Sequence, residues 1–330
     1  MIWLQGLWYR RSLWHLLLLP VSLMFGMLAA IRRAMYRSGL LASFRLPVPV
    51  VVVGNIAVGG TGKTPLVLWL AQFLKEHGYR PGIISRGYRA DVCVPREVTP
   101  DADPAQAGDE PLLLARHSGC PVWVGKDRVA VGSALLQAHP HCDVLLCDDG
   151  LQHYRLRRDV EVAVVDGARG CGNGFLLPAG PLREGVGRLN AVDAVVVNGP
   201  GAWSGYPMKL AGDTFRNLAD GSRTAQVADF KGKKLYAVAG IGNPQRFFDH
   251  LRSLELECEA HPFPDHHPYH RGDLAFAGAD VVLMTEKDAV KCAAFAAANW
   301  WMLTVEAQVD AGLGITIMDK LRKFDGRQTA

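Results

Sequence analysis

Gly59, Gly60 and Gly62 stand directly ahead of Lys63 and Thr64, in the run Gly54-Asn55-Ile56-Ala57-Val58-Gly59-Gly60-Thr61-Gly62-Lys63-Thr64. Glycines so spaced let backbone N–H groups turn inward around phosphate oxygens, because no Cβ obstructs the approach. Residues 57–64 fit the phosphate-loop pattern, with Ala57 where a first glycine usually stands. In that pattern Lys63 reaches the β- and γ-phosphates of a nucleoside triphosphate, and the Thr64 hydroxyl can ligate Mg²⁺. A second acidic signal ends the apolar run 144–148, where Asp148 and Asp149 are adjacent. Two neighbouring carboxylates at a strand tip repel each other, and a divalent cation would relieve that repulsion. Side chains alternate along a strand, so the pair need not share one role. Asp149-Gly150 also suits a plain turn.

A phosphate loop binds nucleotide; an acceptor and a base make a kinase. Candidate groups are Ser85-Arg86-Gly87-Tyr88, Asp109-Glu110, Lys126-Asp127-Arg128, Gln152-His153 and the histidine-rich stretch 261–270. Arg86 follows the second expected strand, on the phosphate-loop side of a parallel sheet, where it could neutralise phosphate charge. Taken alone, Asp109-Glu110 reads equally as the acidic first turn of a helix. The stretch 261–270 invites a zinc reading, but nearby cysteines or a second ligand pair are missing. A proline-stiffened loop presenting a histidine to the site, or a plain surface loop, are the other readings. Thr285-Glu286-Lys287-Asp288 resembles a guanine-reading box with its lysine one place late, so ATP is expected over GTP.

These groups need a frame. Residues 47–53 form a valine-rich run suited to a strand buried on both faces. Similar runs recur at 82–85, 144–148, 160–166, 192–198, 235–239 and 280–285, with helical stretches such as 65–77 and 107–117 between them. Alternation of this kind predicts an α/β fold: a mostly parallel, P-loop NTPase-like sheet flanked by helices. Glycine and proline crowd 167–187 and 199–207, and the alternation resumes beyond them. The expected division is an N-terminal helical segment 1–45, a nucleotide-binding unit 46–209 and a smaller α/β unit 210–330.

Charge is unevenly placed. No Asp or Glu precedes Glu76, while eight Arg or Lys residues do, leaving the remainder mildly acidic. Inside that basic leader, residues 13–31 carry no formal charge and are bracketed by Arg10-Arg11 and Arg32-Arg33. At about 1.5 Å per residue the segment could just cover a hydrocarbon core of roughly 30 Å. His15 and Pro20 interrupt it, and arginines at both ends blur an orientation signal. A spanning helix and a helix inserted in one leaflet both remain open, the latter with Trp3, Trp8, Tyr9 and Trp14 near headgroups and arginines on lipid phosphates. A cleaved signal peptide is disfavoured by the bulky, basic residues that follow. Nucleic acid is not an expected partner, since the aromatics lie among Leu and Met rather than in a basic stripe. Seven scattered cysteines without a C-x-x-C pair indicate a reducing, cytosolic body.

Together these residues resemble the tetraacyldisaccharide 4′-kinase family over nearly the whole chain. The apolar leader, 51–64, 85–88, 108–111, D-D-G-x-Q-H at 148–153, 263–266 and T-E-K-D-A-V-K at 285–291 follow in the family's order. The phosphate loop alone is generic; the ordered set is specific. The resemblance implies ATP with Mg²⁺, and transfer of the γ-phosphoryl group to the 4′-hydroxyl of the lipid A disaccharide 1-phosphate precursor. It implies Asp109 as catalytic base, His266 (of the pair 266–267) as its assisting histidine, Lys63 as the phosphate-loop lysine and Arg86 beside the phosphates. Asp148, Asp149 and Thr64 match the metal region, which Glu110 joins; His153 and Arg183 fall near the site without an assigned role. An acylated acceptor leaves a bilayer at a cost of roughly 0.8 kcal/mol per buried CH₂. The enzyme is therefore expected at the inner-membrane lipid surface, on the cytoplasmic face. Two rival classes are a P-loop metallochaperone using the histidine-rich loop and a nucleotide-switched membrane adaptor without catalysis.

Overall fold

The computed structural model describes residues 8–9, 14–87 and 94–325. Trp3, Arg10, Arg11, Tyr88 and Cys93 lie outside the described residues. The first sheet takes, in chain order, β1 (Val50–Gly54), β2 (Pro81–Ser85), β3 (Arg96–Glu97), β4 (Val122–Val124), β5 (Val144–Asp148), β6 (Val160–Asp166), β7 (Ala194–Asn198) and β8 (Tyr206–Ala211). The second takes β9 (Thr214–Asn217), β10 (Thr224–Gln226), β11 (Leu235–Ala239), β12 (Cys258–Pro262), β13 (Val281–Thr285) and β14 (Trp300–Leu303). The chain then returns to the first sheet as β15 (Glu306–Val309), antiparallel to β8.

The nine-stranded order is β15-β8-β7-β6-β1-β5-β2-β4-β3, parallel from β8 through β4. β1 is buried at all five positions because strands flank it on both sides and helices cover both faces. One face packs against the helix Lys63–Glu76 through Leu66, Val67, Leu70, Ala71 and Leu74. That helix starts at Lys63, two residues earlier than the apolar pattern predicts, because Gly62 in the left-handed region closes the loop as its N-cap.

The six-stranded order is β10-β9-β14-β13-β11-β12, parallel across its last four strands. The sheets partition the chain differently from the single cut expected near residue 210. β8 would be left with an open edge, which β15 covers, and the helix Ala311–Asp325 buries Leu313, Ile317 and Leu321 in the core of the first sheet.

The N-terminal helix Trp14–Arg37 has a mean hydropathy of 1.9 over its most apolar window, and only 11% of that window is buried. It touches the body along one narrow side, where the Ser22 hydroxyl donates to the Leu176 carbonyl at 2.8 Å and Leu176 Cδ1 packs over Gly26. Leu16, Leu17, Leu23, Met24, Met27 and Leu28 on the other sides are exposed.

Candidate active site

The phosphate-loop candidates occupy the carboxyl end of β1, as strand-to-loop connections in a parallel sheet dictate. The outer arm of the loop is fixed by backbone pairing: Val58 N–H donates to the Pro181 carbonyl at 2.8 Å, and Ala57 bridges Leu182. The Val58 amide is thereby committed to protein. The inner arm, Gly59 to Gly62, is pressed from two sides. Asn198 at the end of β7 donates to the Thr61 carbonyl at 2.9 Å and would meet any Cβ at position 62 within 2.2 Å. Gly242, from the loop after β11, lies so close to Gly60 that a Cβ there would fall 2.0 Å from the Gly60 nitrogen. The second sheet thus touches the phosphate loop directly.

A cavity of about 370 Å³ opens beside the loop, reached by Gly60 to Thr64, Glu110 and Lys287. Its far wall is largely apolar, with Ile241, Phe247, Leu303 and Val305. Arg246 at that end is held by Asp166 at 2.7 Å.

The two acidic pairs are neutralised unequally. Asp149 meets Lys63 at 3.5 Å and Arg183 at 3.1 Å. Burial would raise its pKa, but these two cations outweigh burial and hold it well below the usual carboxylate range. Asp148 is almost fully buried; Ser85 donates to one oxygen at 3.1 Å, while the other, Oδ1, has no protein partner. Burial, and then the charge of Glu110, push its pKa up despite Lys63. A buried carboxylate with one unsatisfied oxygen next to a phosphate loop is suited to a cation.

Asp109 owes its position to Gly108. With φ 88° and ψ 148°, Gly108 breaks the helix expected over 107–117 into Pro104–Ala107 and Asp109–Ser118, so Asp109 opens the second helix. The Asp109 carboxylate meets His266 Nδ1 at 2.9 Å, across 157 residues of chain. Lys287 bridges Glu110 at 2.8 Å, Asp265 at 3.4 Å and Asp109 at 3.9 Å, and lies 3.4 Å from His266 Nε2. An ammonium can only donate, so Nε2 accepts and Nδ1 carries the proton that His266 gives to Asp109. Burial alone would raise the Asp109 pKa; the hydrogen bond from His266 and the charge of Lys287 outweigh it and hold the carboxyl at about 2. Burial likewise would lower the Lys287 pKa, but Glu110, Asp109 and Asp265 keep it raised.

His266 and Asp149 are two of the three non-glycine residues with left-handed φ among the described residues, at 59° and 47°. Such conformations persist where the surroundings over-determine them, and here both side chains are held by charged partners, Asp149 by Lys63 and Arg183 and His266 by Asp109 and Lys287. Lys287 and Asp265 were not singled out as site residues by sequence reasoning. The signal was present in the displaced lysine of Thr285-Glu286-Lys287-Asp288. Asp288 itself is fully buried, accepting from the Thr285 hydroxyl at 2.6 Å, Gly240 N–H at 2.9 Å and Lys291 at 2.7 Å. It fixes the loops that present Gly242 and His266.

Other candidates fall outside this cluster. Arg86 is exposed, has no ion pair among the described residues and does not reach the cavity. His153 is partly buried and its pKa is lowered to about 4 by burial and by Arg128. In the histidine-rich stretch, His261 stacks on Tyr236 and His267 pairs with Asp273 at 3.2 Å, leaving His266 as the member that enters the site. Among the described residues no three His, Cys, Asp or Glu side chains converge as a protein-only metal cage.

A family model described as tetraacyldisaccharide-1-P 4′-kinase matches residues 14–322. The tetraacyldisaccharide 4′-kinase of Azoarcus sp. (strain BH72) is 54% identical over 323 residues, covering 96% of this chain and 94% of the relative. That of Methylobacillus flagellatus is 50% identical, with 98% and 96% coverage. A crystal structure of LpxK from Aquifex aeolicus, described as an "apo" form in complex with ATP, superposes with a TM-score of 0.76 at 28% identity, covering 94% of this chain and 100% of that one. This kinship does not favour the metal-delivery reading of the histidine-rich loop. The chain belongs to the tetraacyldisaccharide-1-P 4′-kinase family.

Proposed function

We propose that this kinase transfers the γ-phosphoryl group of ATP to the 4′-hydroxyl of the lipid A disaccharide 1-phosphate precursor, at the cytoplasmic face of the inner membrane. The observation that carries the reading is that Lys287, which lines the cavity together with Lys63, the glycine loop and Glu110, also contacts both members of the Asp109–His266 pair. Mg²⁺ with ATP supplies the transferable group and a divalent charge against its phosphates. Thr64 and Asp148 would hold the ion, since Asp148 Oδ1 is the acidic oxygen left unpaired, with Glu110 near enough to add charge. Mg²⁺ ordinarily takes one or two carboxylates and completes its shell with phosphate and water. Asp149 serves better as the group that aims Lys63.

Asp109 accepts the sugar hydroxyl proton. A carboxylate this acidic is ionised at every physiological pH and is a weak base, so the proton moves late, as the new O–P bond forms. His266, locked by Lys287 and its strained backbone, holds the carboxylate in one orientation. Of the units 46–209 and 210–330, the first would act as the nucleotide side of this cleft and the second, apart from the returning β15 and the helix Ala311–Asp325, as its positioning side. The N-terminal helix lies beside the body rather than projecting from it, which favours insertion into one leaflet over spanning. Incubation of the purified protein with γ-labelled ATP and the tetraacylated disaccharide, followed by location of the label, tests the assignment. Label at a position other than the 4′-hydroxyl would refute it.

A further inference from the structure

The foot of the N-terminal helix borders a cavity of about 570 Å³, remote from the phosphate loop. Six arginines line it: Arg33, Arg37, Arg45, Arg157, Arg158 and Arg188. Its two carboxylates are already engaged. Asp159 pairs with Arg45 and accepts Val50 N–H at 2.9 Å, and Glu161 takes Arg158 at 2.9 Å together with Arg188. Arg33 and Arg37 have no ion-pair or hydrogen-bond partner among the described residues, and Arg157 donates only to the Ser43 hydroxyl, at 3.1 Å. Three guanidinium groups converging on a concave surface without a counter-charge repel one another, and a phosphate would relieve that repulsion through paired hydrogen bonds.

Position narrows the ligand. Arg33 and Arg37 belong to the last turns of the helix whose remaining length exposes Leu16, Leu17, Leu23, Met24, Met27 and Leu28. With that apolar face in a leaflet, as the proposed function has it, the arginines sit at headgroup level. The same two arginines border a groove running to Arg183 and Glu184. Tyr154, in the cavity wall, hydrogen-bonds to Glu184, which accepts from Gln152 at 2.9 Å, and Arg183 pairs with Asp149. We propose that this cavity binds the phosphate of an anionic lipid, with Arg33, Arg37 and Arg157 as its uncompensated cations. The phosphate comes either from a neighbouring anionic phospholipid or from the far end of the disaccharide acceptor itself.

The test compares wild type with Arg33→Gln/Arg37→Gln/Arg157→Gln, and with the control Arg216→Gln/Arg223→Gln/Arg252→Gln, which removes equal charge from the exposed second-sheet surface. ATP affinity, unchanged in all three, certifies folding. In the first arm the proteins are floated with phosphatidylcholine vesicles and with vesicles of phosphatidylcholine and phosphatidylglycerol. The cavity variant loses on the order of a hundredfold in partitioning to the anionic vesicles, and the control at most about threefold. In the second arm, rates are read in nonionic micelles free of phospholipid. There the KM for the phosphorylated acceptor rises on the order of tenfold at constant kcat, whereas the acceptor lacking that phosphate shows no difference. A loss confined to the first arm assigns the site to phospholipid; one confined to the second assigns it to the acceptor. Wild-type behaviour of the cavity variant in both arms, or an equal loss in the control, overturns the proposal. A wild type that phosphorylates no lipid overturns the kinase reading instead, and the vesicle arm still decides the cavity.

Discussion

In the nine-stranded sheet, the polar groups around the phosphate loop follow their strands within a few residues: the glycine loop and Lys63 after β1, Ser85 at the end of β2, Asp148 and Asp149 at the end of β5. In the six-stranded sheet, the contributing groups are spread over three loops, at Gly240–Asn243, Asp265–His266 and Thr285–Lys287, and a buried carboxylate, Asp288, ties the loops together. Their cores differ as well. The first is aliphatic on both faces; one face of the second is built on edge-to-face aromatics, with Phe230 between Phe215 and Trp301. The first sheet supplies a phosphate-handling apparatus that needs little beyond its own strands. The second supplies partners for an acid that belongs to the first, and works only by docking. The charges meet at that junction, where Asp109 and Glu110 face His266 and Lys287.

The largest effect should come from the first sheet alone. Lys63→Ala removes the cation aimed at the phosphates and leaves Asp149 with Arg183 only. Turnover falls on the order of 10⁴-fold and ATP affinity falls with it, read by initial rates and by calorimetry. Asp109→Asn should separate the two sheets' contributions. Here turnover drops on the order of 10³-fold while ATP affinity holds within about twofold. Equal loss of nucleotide binding in that variant would mean the acid serves the phosphates and not the acceptor.

How much of this was legible follows the same division. The glycine loop and the strand-end aspartates are local patterns, and a valine run followed by glycines and Lys-Thr constrains its own fold within a dozen residues. Asp109 read as an ordinary acidic helix start because nothing near it in sequence marks it; its significance is conferred by His266, 157 residues away. The resemblance to a known family supplied that pairing, whereas the residues alone did not. Lys287 is not legible as a site residue because its motif resembles a base-reading box, whereas its contacts are carboxylates from two other segments. The return of β15 to the first sheet was illegible for a related reason. A four-residue edge strand carries almost no pattern, and its pairing is decided by the open edge of β8.

Lys287→Met probes the junction more gently. Without the ammonium, Glu110, Asp109 and Asp265 repel one another, and burial is opposed mainly by His266. The Asp109 carboxyl therefore titrates at higher pH than in wild type. The base must be ionised, so activity is lost as pH falls through its pKa, and the acid limb of the kcat/KM profile moves upward. In wild type the limb set by Asp109 lies at about pH 2, below the usual assay range. A profile that does not move would detach Lys287 from the base.

The smallest effect concerns stability. The Asp109 pKa is held at about 2 in the folded protein against an ordinary value near 3.8, so the native state prefers the ionised form. That preference contributes about 2 kcal/mol of stability, fully present above the unfolded-state pKa and lost as pH falls through the folded one. His266→Ala removes the leading hydrogen bond behind it and leaves the buried acid with the charges of Lys287 and Lys291. Urea unfolding should show the variant about 2 kcal/mol less stable at neutral pH, with the gap narrowing as the solution is acidified below about pH 4. A gap that persists unchanged under acid would mean the histidine stabilises the junction by packing, and that its hydrogen bond to Asp109 across the two sheets contributes nothing to holding them together.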